Sequence, residues 1–110
     1  MKVFLSQPMR GKTHEEILSS IREVQEFLTK YLDSTNIEII ESYSPKNKSK
    51  EPLVALGDSI KMLANADLAV FLNDWNQYRG CIIEYHTAKV YEVPHISVKN
   101  ENGLLKVVEK

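Results

Sequence analysis

Short apolar runs of strand character alternate with longer segments of helical character along this chain, and this order strongly constrains its fold. Each run contains β-branched or aromatic residues, which is typical of strands. The four runs are KVFLS (2–6), IEII (37–40), DLAVFL (67–72) and HISVK (95–99). Strands that alternate with helices favour a parallel sheet that is covered by helices on both faces.

Three helices are predicted between these runs. Thr13 and Glu16 form a T-x-x-E capping box at the start of the first helix. Apolar residues then recur at helical spacing over residues 17–32, so one face of this helix packs on the sheet. The second and third helices are predicted over residues 53–64 and from 80 to about 90.

A hairpin is predicted at the end of the chain. Asn102 and Gly103 form a turn dipeptide, so LLKVV (104–108) is expected to pair antiparallel with the fourth run. The predicted fold class is therefore α/β, a three-layer sandwich. Its mostly parallel, flavodoxin- or Rossmann-like sheet would have about five strands, with the last strand antiparallel. The 110 residues fit one domain, 1–110.

Composition and charge exclude several classes of partner. The net charge is −1, so no overall field attracts a nucleic acid polymer or a membrane surface. No stretch approaches the roughly 18 apolar residues of a membrane span. The single cysteine, Cys81, allows no intramolecular disulfide and fits a reducing cytoplasm. A domain this small often buries further surface by association, so we expect a cytoplasmic homo-oligomer.

Two loops are predicted to border a ligand site, residues 6–13 and 73–80. Right-handed crossovers place the loops that follow parallel strands on one edge of the sheet, where ligands bind. Glu84 follows the second loop and is predicted to lie in the first turn of the third helix, whose dipole favours the ionised carboxylate. An acid with apolar neighbours is paired or functional. The alternative is a solvated acid that only complements the helix dipole.

The loop SQPMRGKT (6–13) shares features with a phosphate-binding loop, because it joins a strand to a helix and contains G-K-T. The full motif requires glycine where this chain has Ser6, and Pro8 removes a backbone donor. A weaker prediction is an anion site formed by Arg10, Lys12 and the backbone N–H groups at the start of the helix. The alternative is a solvated basic loop.

The loop NDWNQYRG (73–80) adds polar and aromatic side chains to the same edge. Trp75 could stack on a flat ring, or fold back onto the core. Asp74 could bind sugar hydroxyls or a base amine, or serve as a turn residue. Cys81 is interpreted as a small buried residue rather than a thiolate nucleophile. No histidine has partners at metal-ligand spacing, so no metal or cofactor is expected.

Three segments resemble the nucleoside 2-deoxyribosyltransferase-like superfamily, and especially its small, often phage-encoded branch. They are KVFLSQPMRGK (2–12), LANADLAVFLNDW (63–75) and RGCIIEYHTAKVYEVP (79–94). The resemblance covers most of the chain. Its most specific element is Ala66-Asp67 before an apolar strand, followed by G-x-x-x-E at Gly80 and Glu84.

The resemblance implies cleavage or transfer at the N-glycosidic bond of a nucleoside or nucleoside monophosphate. Glu84 would be the nucleophile that forms a glycosyl–enzyme intermediate, which a second base or water resolves. Gly80 would let the backbone approach the sugar or its phosphate. Relatives complete their pocket with residues from a neighbouring subunit, so the resemblance also implies an oligomer. With the loop residues, the expected substrate-binding set is Ser6, Arg10, Gly11, Lys12, Asp58, Asp74, Trp75, Arg79 and Gly80.

One departure from the superfamily pattern supports a second hypothesis. Relatives carry an acid or a serine shortly before the glycine, where this chain has Tyr78 and Arg79. Arg79 suits an anionic ligand but leaves sugar hydroxyls without an acceptor. The alternative function is therefore a non-catalytic module of the same fold that binds or senses a nucleotide.

Overall fold

A computed structural model describes residues 1–8, 11–41 and 51–109. Arg10, one of the predicted substrate-binding residues, lies outside the described residues. The described elements are β1 (Lys2–Ser6), α1 (His14–Tyr31), β2 (Glu38–Glu41), α2 (Pro52–Leu63), β3 (Leu68–Leu72), a 3₁₀ turn (Trp75–Gln77), α3 (Arg79–Val90), β4 (His95–Glu101) and β5 (Leu104–Glu109). None of the described helices is long and apolar enough to cross a membrane.

The strands form one sheet in the order β2-β1-β3-β4-β5. The first four pair in parallel, and β5 runs antiparallel to β4. The predicted fold class is confirmed: the protein is α/β, with a mostly parallel five-stranded sheet and an antiparallel last strand. Because β2 and β3 lie on opposite sides of β1, strand order reverses at β1, and the carboxyl end of β1 is where ligands bind in such sheets.

Alternating side chains of the central strands divide the core into two layers. Val3 and Leu5 pack with Val24 and Leu28 of α1 on one face of the sheet. Side chains of the other parity face α2 and α3, because successive strand residues point to opposite faces. This second layer contains Phe4, Leu63, Ala69, Phe71, Tyr85 and Ala88. The helices therefore cover both faces, as the apolar periodicity predicts.

The start of α1 follows the predicted capping box. Thr13 Oγ1 accepts from the backbone N–H of Glu16 at 3.1 Å, and Glu16 Oε1 accepts from the backbone N–H of Thr13 at 3.1 Å. These hydrogen bonds lower the pKa of Glu16. The cap satisfies backbone donors that would otherwise be free at the helix start, and so it fixes where the β1–α1 loop ends.

The prediction that Glu84 lies in the first helical turn is wrong. Helix α3 begins at Arg79, and its first turn contains no acidic residue. Tyr78 is extended and forms the N-cap, and its carbonyl accepts from the backbone N–H of Ile82 at 2.9 Å. Glu84 is therefore in the second turn, where the helix dipole has largely fallen off.

Candidate active site at the carboxyl edge of the sheet

Glu84 is buried and bonded to the last residue of β1. Ser6 Oγ donates a hydrogen bond to Glu84 Oε1 at 2.6 Å. Ser6 is 1% exposed and Glu84 is 6% exposed. Ser6 has the same strand parity as Phe4, so its side chain points to the face covered by α2 and α3. The pair thus joins the carboxyl end of β1 to α3 at the predicted ligand edge.

Burial governs the electrostatics of Glu84. Loss of solvent raises the pKa of its carboxyl above the usual value, and hydrogen bonds from Ser6 and then Ser59 lower that pKa. Burial therefore opposes the ionisation of Glu84 that the helix start was expected to favour. In the described part of the chain, the groups that lower the pKa of Glu84 are serine hydroxyls, and no cation is among them.

Cys81 lies one turn before Glu84 in the same buried cluster. Burial raises the pKa of the Cys81 thiol to about 11, a hydrogen bond with Ser6 lowers it, and the charge of Glu84 raises it. The thiol is therefore neutral near neutral pH, and thiolate is the nucleophilic form of cysteine. This agrees with the interpretation of Cys81 as a small buried residue.

Ser6 belongs to a row of residues in register across four strands. Ser6 pairs with Phe71 on β3, Phe71 pairs with Ser97 on β4, and Ser97 pairs with Glu109 on β5. Ser97 is buried, and its Oγ has no hydrogen-bond partner in the described part of the chain. The hydroxyl of Tyr85 on α3 donates to Glu109 Oε1. Helix α3 therefore bonds to both ends of this row: Glu84 bonds to Ser6, and Tyr85 bonds to Glu109.

A cleft of about 240 Å³ opens at the carboxyl edge on the side of α1. Gln7 and Lys12 line it from the β1–α1 loop and Ser20 from α1. Asp74 lines it from the loop after β3, and Lys99 from β4. Two predicted ligand residues, Lys12 and Asp74, thus border the same space. Glu84 is not part of this lining, whereas Leu72, which packs in the core layer beside α1, is.

The loop after β3 is held against β4 by Asn73. The backbone N–H of Asn73 donates to the carbonyl of Val98 at 2.8 Å, and Asn73 Oδ1 accepts from the backbone N–H of Asn100 at 2.7 Å. Asn73 has φ of 38°, a conformation that asparagine tolerates better than most residues. These contacts bring the end of β4 to the cleft. Sequence reasoning missed Asn73, Lys99 and Asn100 there, although carboxyl ends of parallel strands share an edge.

Trp75 packs on the core and does not line the cleft. Its ring stacks on that of Tyr85, with centroids 4.0 Å apart and an interplanar angle of 18°. Its centroid is 5.8 Å from that of Phe71. Of the two interpretations of Trp75, the structure therefore shows core packing, because Tyr85 already covers one face of the indole.

The remaining predicted residues are more dispersed. Arg79 is exposed at the start of α3, and Gly80 follows it in the first turn, where an added Cβ would meet no atom within 4 Å. Gly11 has φ of +80° in the β1–α1 loop, a conformation that favours glycine. Asp58 is half-buried on α2 and precedes Ser59. Sequence reasoning missed Ser59, although it is only one residue away from the predicted Asp58.

Asp67, the acid of the Ala-Asp element, lies far from this edge. It precedes β3, and Asp67 Oδ2 accepts from the backbone N–H of Lys2 at 2.7 Å. Both residues are at the amino ends of parallel strands, opposite the carboxyl edge that carries Glu84. Asp67 is therefore a structural residue that ties β1 to the start of β3.

The chemistry available to this site is that of a buried carboxyl group with neutral hydrogen-bond donors. When ionised, Glu84 can act as a nucleophile or a general base, and when protonated it can act as a general acid. Within the described residues, no group of three or more His, Cys, Asp or Glu side chains is placed to hold a metal ion. Comparisons with protein-family models and with curated proteins find no match for this chain.

Proposed function

We propose that this protein cleaves or transfers at the N-glycosidic bond of a nucleoside or nucleoside monophosphate, with Glu84 as the nucleophile. The observation that carries the proposal is the buried Glu84 carboxyl, held by Ser6 Oγ at 2.6 Å at the strand-order switch. Ligands bind such sheets at that edge. The resemblance of Gly80 and Glu84 to the G-x-x-x-E element of nucleoside 2-deoxyribosyltransferase-like proteins adds the substrate class.

The reaction would proceed by double displacement. Ionised Glu84 attacks C1′ of the sugar, and the bond from C1′ to the base nitrogen breaks with its electron pair leaving on the base, which takes up a proton. The resulting glycosyl ester on Glu84 is then attacked at C1′ by water or by a second base, and the bond from C1′ to the Glu84 oxygen breaks with its electron pair returning to the carboxylate. The acceptor loses a proton in this step, which balances the proton that the leaving base took up. Water as acceptor makes the enzyme a hydrolase, and a base makes it a transferase.

The second candidate function is a nucleotide-binding or sensing module without turnover. The cleft on the α1 side supports it, because Lys12 and Lys99 border this space while Glu84 does not. An anionic ligand could occupy the cleft without contact with the carboxyl group. Under this hypothesis Glu84 would be a structural acid.

Incubation of the purified protein with a panel of nucleosides and their monophosphates tests the two functions. Released base is measured by chromatography, with and without a second base. Release without an acceptor would identify a hydrolase, and base exchange only with an acceptor would identify a transferase. Absence of both reactions, together with a higher Tm in the presence of one nucleotide, would favour the binding module.

The Glu84→Gln variant tests the role of the carboxylate directly. The amide oxygen of the substituted side chain can still accept from Ser6, but the amide cannot form the ester, so turnover should fall by at least about 10³-fold. Glu23→Gln, which changes an exposed acid on α1, is the matched control and should retain the wild-type rate. Base release by Glu84→Gln at the wild-type rate would overturn the assignment.

The homo-oligomer expected from the sequence stays a prediction. Large apolar side chains are exposed at the start of α2, at Leu53 and Val54, and at the end of α3, at Val90 and Tyr91. Exposed apolar surface of this kind can support association between subunits. Light scattering of the purified protein in solution, at several concentrations, would give the number of subunits.

A further inference from the structure

We propose that Ser6, with Ser59 as a weaker second donor, is a positioning residue, which orients the Glu84 carboxylate through its hydroxyl group and does not contact the substrate. The inference rests on the proposed role of Glu84 as nucleophile. It reassigns Ser6, which the sequence analysis places among the substrate-binding residues. Ser6 is almost fully buried, and its Oγ is already directed at Glu84 Oε1.

The three residues come from three different elements. Ser6 ends β1, Ser59 lies on α2, and Glu84 lies on α3. All three are buried. Helices α2 and α3 cover the face of the sheet to which Ser6 points, so the three residues lie on the same face. A carboxylate that accepts from the buried Ser6 hydroxyl is restricted in its position.

Ser59 is the weaker of the two donors. Its Oγ donates to the carbonyl of Ala55 at 3.2 Å. Its hydroxyl also lowers the pKa of the Glu84 carboxyl, by less than Ser6 does. A hydroxyl has one hydrogen to donate, so Ser59 can support the ionised carboxylate only when that hydrogen leaves Ala55.

Neutral donors suit a nucleophile better than a cation would. A buried ion pair is costly to desolvate and would hold the carboxylate tightly to its partner. Hydroxyl donors fix the orientation while the negative charge stays available for attack. The titratable group that the structure shows beside Glu84 is Cys81 on α3, whose thiol is neutral near neutral pH. From β1 the facing group is Ser6, which does not titrate.

Carbon-13 NMR of carboxyl-labelled glutamate measures the pKa of Glu84 directly and without substrate. Comparison with Glu84→Gln identifies the resonance. Ser6→Ala removes one oxygen atom and is expected to raise the pKa of Glu84, because a donor to the ionised form is lost. Ser59→Ala is expected to raise it less, and Ser6→Thr, which keeps the hydroxyl, should restore the wild-type value. Ser34→Ala, at a serine outside the cluster, is the matched control.

Kinetics supply the second measurement. With a substrate from the panel, Ser6→Ala should lower kcat by about tenfold or more and leave KM unchanged, because the lost bond acts through Glu84. An unchanged pKa of Glu84 in both alanine variants would overturn the proposal. A raised KM in Ser6→Ala with an unchanged pKa would also overturn it, since Ser6 would then bind the substrate.

The proposed function and this inference can fail separately. If no nucleoside is turned over while both alanine variants raise the pKa of Glu84, the positioning role of the serines is supported and the assignment of Glu84 as nucleophile fails. If turnover depends on Glu84 while neither serine affects its pKa or kcat, the function is supported and the positioning role is refuted.

Discussion

Glu84 and Tyr85 are consecutive residues of α3, yet their side chains bond to strands that are not neighbours. Glu84 accepts from Ser6 Oγ on β1 at 2.6 Å, and the Tyr85 hydroxyl donates to Glu109 Oε1 on β5. The Tyr85 ring packs edge-on against Phe71 on β3, between these two strands. One turn of α3 is therefore anchored across the sheet, and this anchoring fixes the Glu84 carboxyl at the carboxyl edge.

Glu84→Gln is expected to gain stability relative to wild type as pH rises. Burial raises the folded-state pKa of Glu84 above its ordinary value of 4.5, so the unfolded state loses its proton first as pH rises. The contribution of Glu84 to the stability of the wild-type protein is therefore fully present when the pH is below the ordinary pKa of 4.5. This contribution is lost as the pH rises through the pKa of Glu84 in the folded protein. The variant lacks this loss.

Thermal unfolding of both proteins from about pH 4 to about pH 8 measures this effect. The Tm difference in favour of Glu84→Gln should grow with pH, and Glu23→Gln should show no such trend. A difference that stays constant over this range would contradict a raised pKa for Glu84.

The rate of base release is expected to rise with pH through the pKa of Glu84. Only the ionised carboxylate is a nucleophile, and burial places its ionisation above the ordinary value for glutamate. A profile of kcat/KM against pH, which reports the free enzyme, gives the midpoint. Activity that falls as Glu84 ionises would instead indicate a general acid.

Cys81 is expected to resist alkylation in the folded protein. Its thiol is buried and has a pKa of about 11, so little thiolate is present near pH 8. Iodoacetamide should react at least about a hundredfold more slowly than with the protein unfolded in urea. Mass spectrometry of timed samples measures both rates, and equal rates would show that Cys81 is accessible.

Lys12→Ala and Lys99→Ala are each expected to weaken the binding of a nucleoside monophosphate by about two- to fivefold. Both lysines border the cleft and are exposed, so each contributes a screened charge interaction. Binding of the uncharged nucleoside should change less. Calorimetric titration measures both ligands, and Lys61→Ala, at an exposed lysine on α2 outside the cleft, is the control. Equal losses for both ligands would argue against a phosphate in the cleft.

Trp75→Ala is expected to lower the free energy of unfolding by about 1–3 kcal/mol. The indole stacks on Tyr85 and packs near Phe71, so its removal opens a gap beside the second core layer. Tyr91→Ala, at a ring that is 78% exposed, should change the stability by less than about 0.5 kcal/mol. Urea unfolding measures both variants, and similar small effects would indicate that Trp75 does not support the core.

The order of elements follows from local patterns in the sequence. The Thr13–Glu16 capping box lies within one helical turn, and the apolar runs carry their strand character in five or six residues. Such signals do not depend on distant parts of the chain, so the strands and helices were predictable to within about two residues. The predicted start of α3 at Gly80 differs from the observed start at Arg79 by one residue, because the extended Tyr78 caps the helix without a side-chain hydrogen bond that would mark it in the sequence.

The sequence by itself also determined which edge of the sheet carries Glu84, since that follows from the alternation of strands and helices. Only the tertiary structure decided what surrounds the carboxyl group. Its donor Ser6 is 78 residues away in the chain, and Ser59, which lowers its pKa, lies on a third element. Burial and hydrogen bonding depend on how β1, α2 and α3 pack together, and no local pattern encodes that packing. The protonation state of Glu84 is therefore a property of the fold.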